Sequence, residues 1–273
     1  MRARVPFDRA AIRAVMAKDI RAVRRSKAVV LPMLLVPLLL LVVLPFGIGL
    51  VARFRSGPDL GNFLDQIPSQ LADELGGRPN NERLVLLVNG YLLAPLFLIV
   101  PLMVSAVLAA DAFAGEKERR TLESLLHLPI SDRDLFVAKL LTAFVPAMAV
   151  SWIGFVIFAF VANGVAWPVM HRVFVPTQVW AVMILWVAPA VATLGLGVMV
   201  RVSARARTSQ EANQLGGAVI LPLIVLAVGQ STSLLLVDPP VAIAVGAVIW
   251  VIALWLVIRG ARKFTRDVLA TTL

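Results

Sequence analysis

Six stretches of this chain contain no Asp, Glu, Lys, Arg or His, and each is long enough to cross a membrane. A transmembrane helix needs about 20 mostly apolar residues. The stretches lack the alternation of apolar and polar residues that is typical of membrane β-strands. The sequence therefore predicts an all-α, polytopic membrane protein, with residues 1–273 forming a single domain. Its six predicted spans are 28–52, 84–110, 140–170, 173–200, 212–237 and 239–258.

The composition excludes a soluble enzyme. Hydrophobic residues make up 60% of the chain and charged residues 15%, whereas a soluble domain has about 45–50% and about 25%. The chain has no cysteine, and its two histidines, His127 and His171, lie far apart. A metal or haem site built on His and Cys is therefore not expected.

The basic residues predict how the chain is oriented in the membrane. Twenty-one of the 26 Lys and Arg residues lie in segments 1–27, 111–139, 201–211 and 259–273. Because Lys and Arg concentrate in cytoplasmic loops, both termini are predicted to be cytoplasmic, with the protein in the inner cell membrane. The net charge of +10 is then a topology signal that also favours anionic lipid, and no nucleic-acid partner is expected.

Two segments outside the spans have helical patterns. Residues 8–26 predict an amphipathic interfacial helix, which acts either as an anchor or as an elbow that moves with a partner. The outer loop 53–83 predicts one or two short helices on the membrane surface, with Gly76 and Gly77 as a stop signal.

The inner loop 111–139 is the most patterned polar segment. Leu122, Leu125 and Leu126 lie on one face of a short predicted helix that ends at Pro129. Ser131 and Asp134 then match a helix-capping pattern. Such a helix suits either a lipid surface or a protein groove, and the dense mixed charge favours the protein.

The second inner loop, 201–211, carries Arg205 and Arg207 and ends in a capping pattern from Thr208 to Glu211. The arginines fix the orientation of the chain in the membrane, contact a cytoplasmic partner, or do both.

The sequence of the spans predicts neither an ion-coupling site nor a catalytic site. Ionisable residues are usual at membrane depth in proton-coupled carriers, and here they are missing from all six stretches. The chain also lacks a phosphate-binding loop and any nucleophile motif, so no catalytic site is predicted. Transport would need energy from another subunit. The substrate is not predicted, and helix–helix hydrogen bonds are the favoured role of the polar positions Asn89, Ser105, Thr142, Ser151, Asn163, Thr193 and Gln214.

The inner loop resembles the signature of ABC type-2 transporter permeases, roughly E-x-E-x-G-T-L-E-x-L-L-x-x-P-[IV]-S-x-x-x-[LI]-x-x-G-K. Arg120 and Ala138 replace two glycines of that pattern. The stretch from Ser203 to Gly217 and the six spans are also similar to this family. The matching residues are Glu116, Glu118, Thr121, Leu122, Glu123, Leu125, Leu126, Pro129, Ile130, Ser131, Leu135 and Lys139.

The resemblance implies a dimeric exporter permease, paired with a second copy or a paralogue. Two separate ATP-binding cassette subunits would bind ATP and Mg²⁺, and this chain would hold no cofactor. Residues 121–128 would form the coupling helix that docks on the ATPase. The implied coupling residues are Glu116, Glu118, Arg119, Arg120, Thr121, Leu122, Glu123, Leu125, Leu126 and Pro129, with Arg205, Arg207 and Glu211 in the second inner loop.

Two alternatives stay open on the sequence. The same ATPase docking could drive a conformational change in an extracytoplasmic partner bound at loop 53–83. A secondary carrier is the third reading, which the charge-free spans disfavour.

Overall fold

The structure is a computed structural model that describes residues 8–54, 73, 75–118, 130–206, 208–218 and 239–263. Within these ranges the chain is almost entirely helical and forms no strand. Five of its helices are long and apolar enough to cross a membrane. The prediction of an all-α membrane protein is therefore confirmed.

Helix α1 (Arg9–Arg25) lies where the sequence predicts an amphipathic helix. The Asp8 side chain caps it by accepting hydrogen bonds from the backbone N–H groups of Ala10 and Ala11, each at 3.0 Å. Its buried residues recur every three or four positions, which gives the helix one buried face and one exposed, basic face. They are Ile12, Val15, Asp19 and Val23.

Three of the long helices contain a π-helical turn. Helix α2 is α-helical over Lys27–Leu38 and Leu44–Phe54, with a π turn at Leu39–Val43 between them. Helix α3 runs through Asn80–Val85, a π turn at Leu86–Leu92, Leu93–Phe97 and Ile99–Glu118. Helix α5 runs through Gln178–Val182, a π turn at Met183–Val187 and Ala188–Arg205.

A proline follows each π turn within three residues: Pro45, Pro95 and Pro189. Proline cannot donate a backbone hydrogen bond, and its ring clashes with the carbonyl four residues earlier. That carbonyl lies inside the π turn in all three helices. The wider turn gives the carbonyl room while the helix continues.

The remaining helices are regular. Helix α4 (Asp132–Met170) ends at His171, which has a left-handed backbone conformation. Residues 209–218 form a helix, α6, and helix α7 spans Pro239–Lys263.

Five of the six predicted spans correspond to long apolar helices within the described residues, and their ends differ from the predicted ones. Helices α3 and α4 continue beyond the charge-free stretches, to Glu118 and from Asp132. The prediction that a span starts at residue 173 is wrong, because α5 begins at Gln178. Of the predicted span 212–237, only 212–218 lie within the described residues, and these are helical.

Helices α3 and α5 form the centre of the bundle. About 67% of the apolar window in each is buried, against 17–22% in α2, α4 and α7. Helix α4 packs on α3 and α2, and α7 packs on α5, so the helices contact one another in the order α2, α4, α3, α5, α7. Large apolar side chains of α2, α4 and α7 point outwards, as expected for surfaces in contact with lipid.

Glycines allow the central helix α5 to approach both of its neighbours. A Cβ atom on Gly195 would lie 2.7 Å from the Ser105 hydroxyl of α3, and one on Gly197 would lie 2.7 Å from the Leu256 Cβ of α7. Membrane helices commonly use small residues in this way, because close backbone approach increases van der Waals contact.

Polar side chains in the spans mostly bond to their own helices. The hydroxyls of Ser105, Thr142, Ser151 and Thr193 each donate to a carbonyl three or four residues earlier, at 2.7–3.0 Å. The prediction of helix–helix hydrogen bonds is therefore wrong for these four. A hydroxyl reaches its own helix at little entropic cost, and such a bond needs no partner helix.

Asn89 and Asn163 behave differently. The amide of Asn163 donates to the carbonyls of Ala159 and Val175 and accepts from the N–H groups of Phe174 and Val175. It holds the non-helical segment 171–177 against α4. Asn89 is fully buried in the π turn of α3, and its side-chain amide makes no hydrogen bond.

Candidate functional site at the basic end of the bundle

The end of α3, the start of α4 and helix α1 meet at one end of the bundle, which we call the basic end. Helix α1 lies against the last turns of α3 and the first turns of α4, and the C-terminal end of α5 is followed by α6. The sequence predicts that this end is cytoplasmic. The loop 119–129, which lies outside the described residues, leaves from α3 here and returns to α4.

A buried ionic cluster of Lys18, Asp19, Glu116 and Lys139 joins three helices at the basic end. The Lys139 Nζ of α4 lies 3.0 Å from the Glu116 Oε1 of α3 and 3.5 Å from the Asp19 Oδ2 of α1. It also donates a 2.9 Å hydrogen bond to the carbonyl of Ala112. One ammonium group therefore binds atoms on both of the other helices.

The interior of this cluster is shielded from solvent. The side chains of Lys139, Glu116 and Asp19 are 3%, 7% and 9% exposed, whereas that of Lys18 is 55% exposed. Lys18 lies 3.4 Å from Glu116 and 3.7 Å from Asp19, so two acids face two bases. Charges are buried in proteins when they are paired. The cluster therefore fixes the position of α1 relative to the helices that flank loop 119–129.

An apolar contact lies beside the cluster. Ile12 and Val15 of α1 pack against Ile130, Leu135 and Ala138, which lie at and just after the end of loop 119–129. Apolar contacts thus reinforce the attachment of α1 to the start of α4, and the ionic cluster adds α3.

Helix α4 starts immediately after this loop, as the capping pattern predicts. The Ser131 hydroxyl accepts a 3.1 Å hydrogen bond from the backbone N–H of Asp134. Asp132 and Asp134 lie in the first turn, where negative charge interacts favourably with the helix dipole. Helix α4 therefore begins with a capped N-terminus directly after the loop.

The end of α3 is bonded to the start of α6. The Glu118 Oε2 accepts hydrogen bonds from the backbone N–H and the hydroxyl of Ser209, at 3.0 and 2.9 Å. The Thr208 hydroxyl accepts from the Glu211 N–H at 3.0 Å, which confirms the Thr208 cap. The two inner loops are therefore in direct contact.

The predicted site residues divide into two groups. Glu116 is buried, Glu118 and Arg205 are exposed and Glu211 is half-buried. Glu116, Glu118 and Glu211 lie at or next to the contacts described above, whereas Arg205 lies on the exposed last turn of α5. The other predicted residues lie outside the described ranges: Arg119, Arg120, Thr121, Leu122, Glu123, Leu125, Leu126, Pro129 and Arg207.

Sequence reasoning gave no role to Lys18, Asp19 or Ser209. Asp19 had a detectable signal, because it lies four residues from both Val15 and Val23 on the apolar face of α1. An acid at such a position needs a buried cation as its partner. Lys139 is that cation, 120 residues further along the chain.

The helix bundle and its basic end define the class of this protein as a polytopic membrane protein in which a buried ionic cluster joins α1 to the helices that flank loop 119–129. Within the described ranges, no group of three or more His, Cys, Asp and Glu residues could hold a metal ion. A family model described as ABC-2 family transporter protein matches residues 13–258. The chain therefore belongs to the ABC-2 transporter family, as the resemblance of the inner loop implies. Among curated proteins, no significant match was found.

Membership of this family makes the chain the membrane-spanning component, or permease, of an ABC transporter. Proteins of this family generally work with an ATP-binding cassette partner. The matched region includes α1 from Arg13 onwards, both inner loops and most of α7.

Proposed function

We propose that this chain is the permease subunit of an ATP-driven exporter and that it receives its driving force through loop 119–129. A separate ATP-binding cassette subunit would bind ATP and Mg²⁺ and dock on this loop from the cytoplasm. The active unit would contain two permeases, in the inner cell membrane. The observation that carries the proposal is the ionic cluster, together with family membership.

The cluster supports transmission of movement from the loop to the spans. Glu116 lies two residues before the end of α3, and Ile130 lies two residues before the start of α4. Both flanks of the loop are thus held to α1 and to each other by contacts with little exposure to water. A displacement of the loop would move the three elements together.

The paired acids suggest a division of roles within the predicted coupling residues. The Oε1 of Glu116 is paired with Lys18 and Lys139 of the same chain. In the proposal, Glu116 therefore acts as a positioning residue for the loop, and the ATPase contacts come from residues 119–129. Glu118 adds the second inner loop to the same unit through Ser209.

The docking assignment is tested with Leu125→Asp combined with Leu126→Asp. Two carboxylates on the apolar face of the predicted coupling helix would have to be buried in the ATPase groove without partners, which is costly. We expect the double variant to insert in the membrane normally and to lose its co-purifying ATPase.

Ser124→Asp combined with His127→Asp is the matched control. At about 100° per residue, these positions lie on the opposite face of the same predicted helix. The control adds the same two carboxylates and should retain the ATPase. Retention of the ATPase by the Leu125 and Leu126 variant would show that the docking assignment is wrong.

A further inference from the structure

A cavity of about 270 Å³ lies where α1 meets α2, α3 and α4. Its wall is apolar apart from Thr142 and Arg24, and the Thr142 hydroxyl already donates to the carbonyl of Ala138. From α1 it is lined by Ile20, Val23 and Arg24, which share one face of that helix. The cavity therefore joins an apolar interior to the basic surface of α1.

A longer apolar groove continues from the cavity along α2 and α4. This groove of about 540 Å³ lies between α2 and α4 and includes Leu35, Leu38, Val150 and Ile157. Gly154 brings α4 close to α2 here, since a Cβ atom on it would lie 2.8 Å from the Leu41 side chain. Large apolar side chains along this groove are exposed to the surroundings of the protein.

The cavity and the groove follow one side of α4. Their α4 residues recur every three or four positions from Thr142 through Pro146, Val150 and Gly154 to Ile157, so they share one helix face. This face extends for about 22 Å at about 1.5 Å per residue. One leaflet contributes about 15 Å of hydrocarbon, so an acyl chain can lie along the face at full length.

The positive charge of α1 beside the cavity indicates that an anionic ligand would bind there. Helix α1 contains six basic residues and one acid, and that acid, Asp19, is paired with Lys139. Within the described residues no acid pairs with Arg24. A guanidinium at the membrane surface that lies beside an apolar cavity suits a phosphate attached to an acyl chain.

We propose that the cavity and groove bind an anionic phospholipid of the leaflet at the basic end. Its phosphate would contact Arg24, and one acyl chain would enter between α1 and α4 and follow the α2–α4 groove. None of the residues that line this site belongs to loop 119–129, and the proposal does not depend on how the ATPase docks. The lipid would join α1 to the spans beside the ionic cluster.

The test is native mass spectrometry of the full chain, purified in a neutral detergent and titrated with phosphatidylglycerol. Phosphatidylcholine with identical acyl chains is the comparison. We expect one tightly retained phosphatidylglycerol and weaker retention of phosphatidylcholine. Arg24→Gln should weaken phosphatidylglycerol binding about fivefold, the size of one Arg contact with an anionic membrane surface.

Two further variants separate the parts of the site. Arg25→Gln removes a neighbouring exposed charge that does not line the cavity, and it should change binding less than twofold. Val30→Trp adds bulk to the cavity wall, and it should abolish the preferential retention while the protein stays monodisperse.

Three outcomes would overturn the proposal. The first is equal retention of the two lipids by the wild type. The second is equal loss of binding in the Arg24 and Arg25 variants, because the charge would then act only through the general surface potential. The third is displacement of phosphatidylglycerol by millimolar inorganic phosphate, which would identify the site as one for free phosphate.

Discussion

Replacing Lys139 by Met should destabilise the basic end strongly. The substitution removes the ammonium that binds Glu116 at 3.0 Å and Asp19 at 3.5 Å. At an effective dielectric constant of about 20, the gross attraction of each contact is about 5 kcal/mol. That attraction mainly offsets the cost of burying the ions, so the measured loss is set by the two buried carboxylates, for which only the exposed Lys18 of the cluster remains as a cation. Breaking a buried pair in this way costs about 3–5 kcal/mol.

The loss can be measured as heat-induced aggregation in mild detergent, followed by size-exclusion chromatography. At about 2 °C or more per kcal/mol, the midpoint for Lys139→Met should fall by at least about 6 °C. Lys18→Gln is the matched control, because Lys18 contacts the same two acids but its side chain is 55% exposed. Exposed pairs contribute about 0–1 kcal/mol, so the control midpoint should change by no more than about 2–4 °C.

A triple variant distinguishes lost pairing from lost packing. Lys139→Met combined with Asp19→Asn and Glu116→Gln replaces the three buried members of the cluster by uncharged side chains. Replacing all members of a buried ionic group is often close to neutral, so most of the stability should return. The reasoning is refuted if Lys139→Met is as stable as the wild type, or if the triple variant is no more stable than Lys139→Met alone.

Three further predictions concern single contacts. Glu118→Gln should weaken the contact between α3 and α6 by about 1 kcal/mol or less, because a neutral acceptor remains for Ser209 while the charge at the start of α6 is lost. Faster hydrogen exchange at the Ser209 amide measures this loss. Asn163→Leu should cost about 1–3 kcal/mol, because it leaves the backbone groups of segment 171–177 unpaired; hydrogen exchange should accelerate there and not in α7. Gly195→Val should lower the thermal midpoint more than Gly217→Val. A Cβ atom on Gly195 would lie 2.7 Å from the Ser105 hydroxyl oxygen of α3, whereas no described residue has an atom within 4 Å of a Cβ atom on Gly217.

The membrane helices could be predicted from the sequence because the bilayer sets a simple length rule. A charge-free stretch of about 20 residues satisfies that rule whatever its neighbours are. The rule fails at Val173, where an apolar segment is not helical. The side chain of Asn163 satisfies the backbone groups of Phe174 and Val175, and Pro176 lacks an N–H to donate. These contacts depend on tertiary structure, which span length does not reveal.

The capping residues could also be predicted, because capping is local. Ser131 and Thr208 each accept a hydrogen bond from an N–H three residues later, so the pattern lies within four consecutive residues. The ionic cluster is different. Asp19 and Lys139 are 120 positions apart, and a sequence alone shows that Asp19 needs a cation without showing which one. The side-chain bonds of Ser105 and Thr193 to their own helices are local as well, and the general preference of hydroxyls for carbonyls three or four residues earlier could have predicted them.

The dependence of this permease on a separate ATPase is tested by purifying the intact protein from native membranes in mild detergent and identifying every bound chain by mass spectrometry. We expect an ATP-binding cassette subunit in roughly equal amount. The Leu125→Asp and Leu126→Asp pair should release it, and the control variant on the opposite helix face should retain it. A chain that purifies alone from several detergents would contradict the account, because the permease would then have no ATPase to drive it.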